Sequence, residues 1–310
     1  MFAQCQRFDD VNAHAGAIVG WHQIYDQMSA GSAHTELAHL TAERFQVFRE
    51  VLDKRVVQHG VAPQGRLCLA MPAGTSCASV FQGTSVGRTD VTVLHSGQEF
   101  FVHCAEGMDL LAVSVDALHL ERLAEREFTA PELRRLSRCT RMNVSPQFLG
   151  AMRSQLQSIV ESAVQGDALL ESQIEHLLLE CTLVLLEQVC EPDGRRAGNV
   201  AVSAYLVRQA HQMAMDYLDE PLSILQICDR LDVSRSTLQR SFVSVTGLRP
   251  VEYLRLVRLN AVRQRLQRTR ADECSIARVA YDVGFSHLGH FSGAYRHLFD
   301  EAPSHTHRLQ

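Results

Sequence analysis

Near its carboxy terminus the chain repeats itself. Ser223, Ile224, Ile227, Cys228, Leu231, Val233 and Ser234 are matched 52 residues later by Ser275, Ile276, Val279, Ala280, Val283, Phe285 and Ser286. In each copy the apolar residues stand three and four apart, the stripe of a short helix, and the closing serine is a residue type that caps the next helix. The second helix of each copy carries two inward positions, Leu238 and Phe242 in the first, Phe291 and Tyr295 in the second. Two short helices joined by a tight turn form a helix-turn-helix, whose second helix is shaped to enter a major groove of DNA. Ser223 and Gln226 have capping-box spacing, Gly247 suits a helix end, and Pro250 opens a helix over Val251–Arg268. That helix has Leu254, Val257, Ala261, Val262 and Leu266 on an apolar face, with Arg255, Arg258, Arg263, Arg265 and Arg268 around it. Its length, about 27 Å at 1.5 Å per residue, approaches the roughly 34 Å between successive major-groove faces.

Charge is consistent with this reading only when the chain is divided. The whole carries a formal −5, but residues 200–310 hold 14 arginines against 11 acidic residues, leaving 16 basic and 24 acidic residues in the remainder. A basic module that faces phosphates is thus joined to an acidic partner. At 310 residues and 46% hydrophobic content the chain is long enough and apolar enough for two folded domains. No stretch has the length and apolarity of a membrane helix and the amino terminus lacks a secretory pattern, so a cytoplasmic protein is expected. Nine cysteines without a CxxC pair read as reduced thiols; Cys68, Cys77 and Cys104 fall in strand-like segments where a redox or metal sensor is the alternative.

Between Thr35 and Val115 seven short strand-like runs alternate with turn signals such as HGVAPQG, QGTSVG and HSGQ, which predicts an antiparallel barrel or sandwich. A helix with an aspartate cap follows over Asp116–Glu127, then helices near Pro146–Val164 and Ala168–Val189. The last has Ile174, Leu177, Leu178, Cys181, Val184 and Leu185 on one face, which packs either on the barrel or on a second subunit as a homodimer contact. EPDGRRAGN reads as a linker. The expected organisation is α+β: a sensing domain (1–130), a helical dimerisation segment (131–190), a linker (191–202) and an all-α DNA-binding domain (203–310) with two helix-turn-helix units joined by a long helix.

The carboxy-terminal segment, with VSRSTLQRSFVSVTGLRPVEYLRLVRLNAVRQRLQ and then SIARVAYDVGFSHLGHFSGAYRHLFDEAPSHTHR, resembles the AraC/XylS family of transcription regulators over about 100 residues. Gly284, Phe285, Phe291, Phe299 and Pro303 carry the family's signature, Pro303 with its own spacing. GFSHLGHF and QRFDDVNAHA are further similar to the branch containing the ethanolamine-utilisation operon regulator. The resemblance implies a cupin-like sensory domain and favours activation of transcription, while a small barrel fused to a DNA reader suggests a small-molecule effector pocket; promoter DNA and RNA polymerase are the expected partners, and no cofactor or catalysis is expected.

In the first recognition helix Arg235, Ser236, Thr237, Gln239 and Arg240 are the expected DNA contacts. Arginine can grip guanine and glutamine can grip adenine by paired hydrogen bonds, which makes Gln239 and Arg240 the expected base readers. The second copy has Gly293 where Arg240 stands in the first. There His287, Leu288, His290, Ser292 and Arg296 are left to make contact, so base reading is expected mainly from the first unit and phosphate or shape recognition from the second. Effector candidates near strand ends are Trp21, Tyr25, Glu99, Phe101 and His103. Two rival classes are a metal-dependent cupin enzyme and a ligand-free dimeric scaffold. For the enzyme, His95, Glu99 and His103 have even spacing but are split by the turn Ser96-Gly97-Gln98, and His34, His39 and His59 are scattered, so no metal site is expected.

Overall fold

All seven runs read as strands are strands in the computed structural model, which describes residues 1–74, 79–187 and 198–309. Among the described residues five further strands join them, giving two antiparallel sheets. The larger has the order β1 (Phe2–Phe8), β3 (Thr35–Thr41), β4 (Phe45–Leu52), β11 (Met108–Asp116), β6 (Arg66–Pro72), β9 (Asp90–Leu94), β12 (Arg141–Asn143). The smaller has the order β2 (His22–Gln27), β5 (Val56–Val61), β10 (Glu99–Cys104), β7 (Ser79–Phe81), β8 (Thr84–Val86). The QGTS turn signal is the link between β7 and β8, with Gln82 at φ 46 and Gly83 at φ 81, the two left-handed positions of a two-residue hairpin turn. Before Thr35, β1, β2 and the helix α1 (Val11–Ala17), capped by Asp10, complete the sheets.

Strand alternation sorts the large sheet's side chains into two environments. Phe45, Val47, Leu69, Met71, Val91, Val93, Leu111 and Val113 face a core shared with helices α2 (Ala117–Glu127), α4 (Pro146–Gln165) and α5 (Glu171–Glu187), to which α3 (Ala130–Leu136) adds Leu136. The alternate residues, among them Phe48, Glu50, Ala70, Thr92 and Ala112, face a cavity between the sheets. Asp116 accepts from the His119 amide and starts α2, as its sequence position requires.

Helix α5 packs on its own sheet. Ile174, Leu178 and Leu185 are buried in that core, so they are not available to a second subunit; Leu177 and Cys181 lie at its edge and Val184 is 37% exposed. The continuous apolar face divides because the sheet covers only part of it. Most of the expected linker, together with Cys77 and Cys190, lies outside the described residues, and residues 198–202 already belong to helix α6 (Gly198–Asp216). The seven described cysteines are free thiols, with Cys68 and Cys104 buried in different apolar clusters.

The remaining helices are α7 (Ile224–Leu231), α8 (Arg235–Thr246), α9 (Pro250–Gln267), α10 (Ile276–Asp282) and α11 (Leu288–Phe299). Two cores serve them. Leu238, Phe242, Tyr253, Leu254 and Val257 pack with Val207 and Ala210 of α6, whereas Val262, Leu266, Val279, Phe291, Tyr295 and Leu298 form the second.

Candidate nucleic-acid interface and the sheet behind it

The first helix-turn-helix is fixed by its caps. Ser223 and Gln226 bond each other's backbone amides at 3.3 and 2.8 Å, Ser234 receives the Thr237 amide at 3.1 Å, and Gly247 closes α8 at φ 72. With Leu238 and Phe242 wholly buried, Arg235, Ser236, Gln239 and Arg240 are exposed on the opposite side of α8. Thr237 is half-buried and its hydroxyl is held 2.9 Å from Ser234. The Ser236 hydroxyl also lies 2.9 Å from Ser234. These two therefore shape the helix start, while Gln239 and Arg240 keep free tips. Neither Arg235 nor Arg240 pairs with a carboxylate among the described residues.

The second unit departs from its twin at the start of α11. His287, not Ser286, is the N-cap residue, and no side chain caps the helix. The helix begins one position later than the repeat predicts, which is why its apolar positions are shifted. Leu288 is half-buried against Phe291's core, a packing residue, whereas His287, His290, Ser292 and Arg296 are exposed. A Cβ at Gly289 or Gly293 would meet nothing within 4 Å. The fold does not require glycine at either place, so their effect is to leave the outward face of α11 low.

Helix α9 differs most from its sequence reading. Of the five arginines around its apolar face, Arg255, Arg265 and Arg268 are exposed and Arg258 is half-buried, but Arg263 is buried together with Asn260 and Gln264, because the helix is docked on the amino-terminal domain. Asn260 accepts from the Gln27 backbone amide and donates to the Gln27 carbonyl, both at 2.9 Å, completing the end of β2 as a strand partner would. Arg263 pairs with Asp10 at 2.9 Å and Glu301 at 3.2 Å, and Gln267 donates to Asp10 at 2.8 Å. The Gln27 side chain donates to the Leu298 carbonyl at 2.7 Å, reaching α11.

The small sheet is consequently a shared wall. Tyr25 is opposite Gln58, and Gln58 opposite Val102; all three face the cavity. Ile24, His59 and Phe101 form the cross-strand row on one side of it, and Asp26, Val57 and His103 the row on the other. Val57 and Phe101 share a core with Val207, Phe242 and Tyr253. Of the five expected pocket residues, Trp21 and Tyr25 line the cavity. Phe101 and His103 face the DNA-binding unit instead, and Glu99 is exposed at the strand's start. Phe100 and Val102 take their place, since moving one position along a strand exchanges faces. The sequence alternates too weakly in EFFVHC to choose between them.

The cavity, about 210 Å³, has aromatic walls in Trp21, Phe48, Phe81 and Phe100 and a carboxylate in Glu50, which is 1% exposed. Gln58 donates to Glu50 at 2.9 Å, and the His14 ring lies 3.4 Å from it. Burial and the Glu50 charge push the Tyr25 phenol well above its usual range, so it stays protonated. Sequence reasoning missed Glu50 because it sits inside an apolar strand, RFQVFREVL, where the inward charge leaves no spacing signature. The His95, Glu99 and His103 set does not assemble: His95 bonds the Cys139 carbonyl at 2.9 Å, beyond the turn, and His103 faces Tyr253.

Residues 227–308 match the family model described as "Helix-turn-helix domain". The chain is 35% identical over 95 residues to XylDLEGF operon transcriptional activator 2 of Pseudomonas putida, a match covering 31% of this chain and 60% of that protein. It is 30% identical over 156 residues to the HTH-type transcriptional activator RhaS of Pectobacterium carotovorum, covering 49% of this chain and 52% of the relative. Among solved structures, an AraC-type DNA-binding domain from Chromobacterium violaceum is 36% identical, covers 34% of this chain and 90% of its own, and has a TM-score of 0.31. The chain spans less than two thirds of the length of the curated relatives it resembles, 29% in one case and 60% in another.

Proposed function

We propose, with the AraC-type helix-turn-helix domain of residues 227–308 as premise, that the whole chain is a sequence-specific transcription activator governed by a small molecule in the intersheet cavity. The observation that carries this is the shared wall: Tyr25, Gln58, Phe100 and Val102 line the cavity, while Phe101 and His103 on the reverse of the same sheet carry the DNA-binding unit. A ligand that moves these strands has a direct mechanical route to α6 and α9. Promoter DNA is met by Arg235, Gln239 and Arg240 of α8 and by His287, His290, Ser292 and Arg296 of α11. RNA polymerase is the partner that activation requires.

Chemistry narrows the effector. Aromatic walls favour a compact apolar body. Arg88 and Asp109 also line the cavity, Asp109 being paired with Arg49, but the immediate neighbours of the buried Glu50 carboxylate are Gln58, Tyr25 and the His14 ring, none of them an arginine or lysine, which favours a protonated amine. The sequence likeness to the ethanolamine-operon branch agrees with that class. A cytoplasmic setting suits such a protein, and among the described residues no helix is long and apolar enough to cross a membrane. Self-association, if through α5, uses Leu177, Cys181 and Val184 at its uncovered edge.

Thermal melting of the full chain against amines, amino alcohols and uncharged isosteres tests the reading, followed by footprinting on DNA flanking its gene. Stabilisation by an amine but not by its isostere, lost in Glu50→Gln, is the expected result. Protection of DNA with no response to any small molecule would favour the ligand-free scaffold; turnover of an effector would favour the enzyme.

A further inference from the structure

Three donor groups converge where the small sheet meets the DNA-binding unit. Asp26 from β2, His59 from β5 and His211 from α6 each offer one ligand atom, and these atoms lie within 4.8 Å of one another. His59 Nε2 and His211 Nε2 stand 3.6 and 3.7 Å from Asp26 Oδ2. These distances exceed a hydrogen bond, and all four atoms of the cluster, both Asp26 oxygens and both Nε2 atoms, lack a hydrogen-bond partner. Asp26 and His211 are only 1% and 2% exposed. A buried carboxylate and two imidazoles left unsatisfied at one point are expected to hold something between them.

We propose that this cluster binds a divalent first-row transition metal, with zinc its natural probe, and that the ion pins the DNA-binding unit to the sensor sheet. Two nitrogens and one carboxylate oxygen form a zinc ligand set with a fourth position for water. Tetrahedral bonds of about 2.0–2.1 Å separate donor atoms by about 3.3 Å, so the two histidine–carboxylate spacings of 3.6 and 3.7 Å close by a few tenths of an ångström on binding, while the two imidazoles, whose ligand atoms lie within 4.8 Å of each other, close by up to about 1.5 Å. The outer partner is present as well. His211 Nδ1 lies 3.0 Å from the Tyr253 hydroxyl of α9, and with the Nδ1 proton donated to Tyr253 the Nε2 lone pair faces Asp26, the tautomer a metal requires. The His59 side chain is 19% exposed although its Nε2 is buried, so the cluster lies just beneath the surface. Because two ligands come from the sheet and one from α6, an ion here joins the halves by coordination, independently of any effector in the cavity.

The test uses the full chain, purified without a metal-affinity tag, stripped with chelator and titrated with Zn²⁺ and Co²⁺. One ion per chain and a Co²⁺ visible spectrum of a low-coordinate nitrogen and oxygen site are expected. Tyr253→Phe is expected to weaken binding about 10–100-fold, the cost of losing an outer-shell partner, and His59→Gln to weaken it further. Circular dichroism checks that each variant folds; if His59→Gln does not, the Co²⁺ spectrum with Tyr253→Phe decides alone. No stoichiometric ion in the wild type, or affinity unchanged in the variants, overturns the proposal: the first outcome leaves a carboxylate and imidazole cluster that only packs the two halves together, the second assigns the ion to exposed histidines such as His305 and His307. These readouts are metal occupancy, so they stand or fall apart from DNA binding.

Discussion

Arg240 and Gly293 occupy equivalent places in the two recognition helices, and the difference between them sets a measurable asymmetry. Among the described residues Arg240 has only a long 3.4 Å contact from its Nε to the Ser236 carbonyl, which leaves its guanidinium fork to a guanine edge, whose loss costs about 1–3 kcal/mol per base pair read. Arg240→Ala is therefore expected to weaken specific DNA binding by that amount in a gel-shift titration at fixed salt, and His290→Ala by clearly less; equal losses would refute the asymmetry. A second single side chain controls pH dependence. His103 is pushed down to about 3, first by burial and then by the Arg55 guanidinium, with His211 and Tyr253 also packed nearby and Asp26 in the same cross-strand row. Above about pH 6.5 the imidazole is neutral in both folded and unfolded chains and has no effect. Below that, only the unfolded chain takes up the proton, so stability falls with falling pH until about 3. At pH 5 His103 should contribute a loss of about 2 kcal/mol, and His103→Gln should flatten the decline in denaturant midpoint between about pH 7 and 5. His211, lowered by burial, acts in the same direction.

Helices and strands were legible where their own residues decide them. The seven strands from Thr35 to Val115, the Asp116 cap and the Ser223 and Gln226 box are local features, and the structure contains each. Faces were less legible. Helix α9 reads as one apolar stripe among arginines only if the DNA-binding unit stands alone; Asn260 and Arg263 are polar because they meet β2 and Asp10, partners more than 200 residues away. In EFFVHC, Glu99 and His103 share a face with Phe101, and that apolar residue between them blurs the alternation that would orient the strand. The turns give a sharper test, since two glycines with similar backbones differ in surroundings. Gly247 ends α8 at φ 72 with only Arg55 at 3.8 Å, while Gly284 follows α10 at φ 80 with its Cβ position 2.2 Å from Pro221 Cγ. Alanine at Gly247 should cost about 1–2 kcal/mol, the left-handed penalty alone. Gly284→Ala adds a collision with a rigid ring, typically about 1–3 kcal/mol more. Comparative urea melts check the order; a Gly247→Ala variant as unstable as Gly284→Ala would mean that Pro221 does not fix the second unit's turn.

The fold stacks four layers: helices α2, α4 and α5, the large sheet, the small sheet across the cavity, and the DNA-binding unit. Among the described residues only the small sheet touches both the cavity and that unit, so information about an occupied cavity has one short path to DNA. Beside the apolar contacts of Val57 and Phe101 with α6 and α9, its polar part is Asn260 and Arg263, which hold α9 to Gln27 at the end of β2 and to Asp10 before α1. Neither residue lines the cavity or belongs to a recognition helix. Replacing both with alanine should therefore leave effector binding, read by calorimetry, and DNA binding without effector each intact within a small factor, yet uncouple them. In the wild type an effector is expected to change DNA affinity by a factor on the order of 5–150, and DNA must change effector affinity by the same factor. In the double variant both factors should fall toward one. The reciprocal measurement guards against a trivial loss of folding, because a damaged domain lowers one affinity without erasing its dependence on the other ligand. A double variant whose coupling matches the wild type would show that the effector acts through another route, and the wall between cavity and α9 would then be scaffold only.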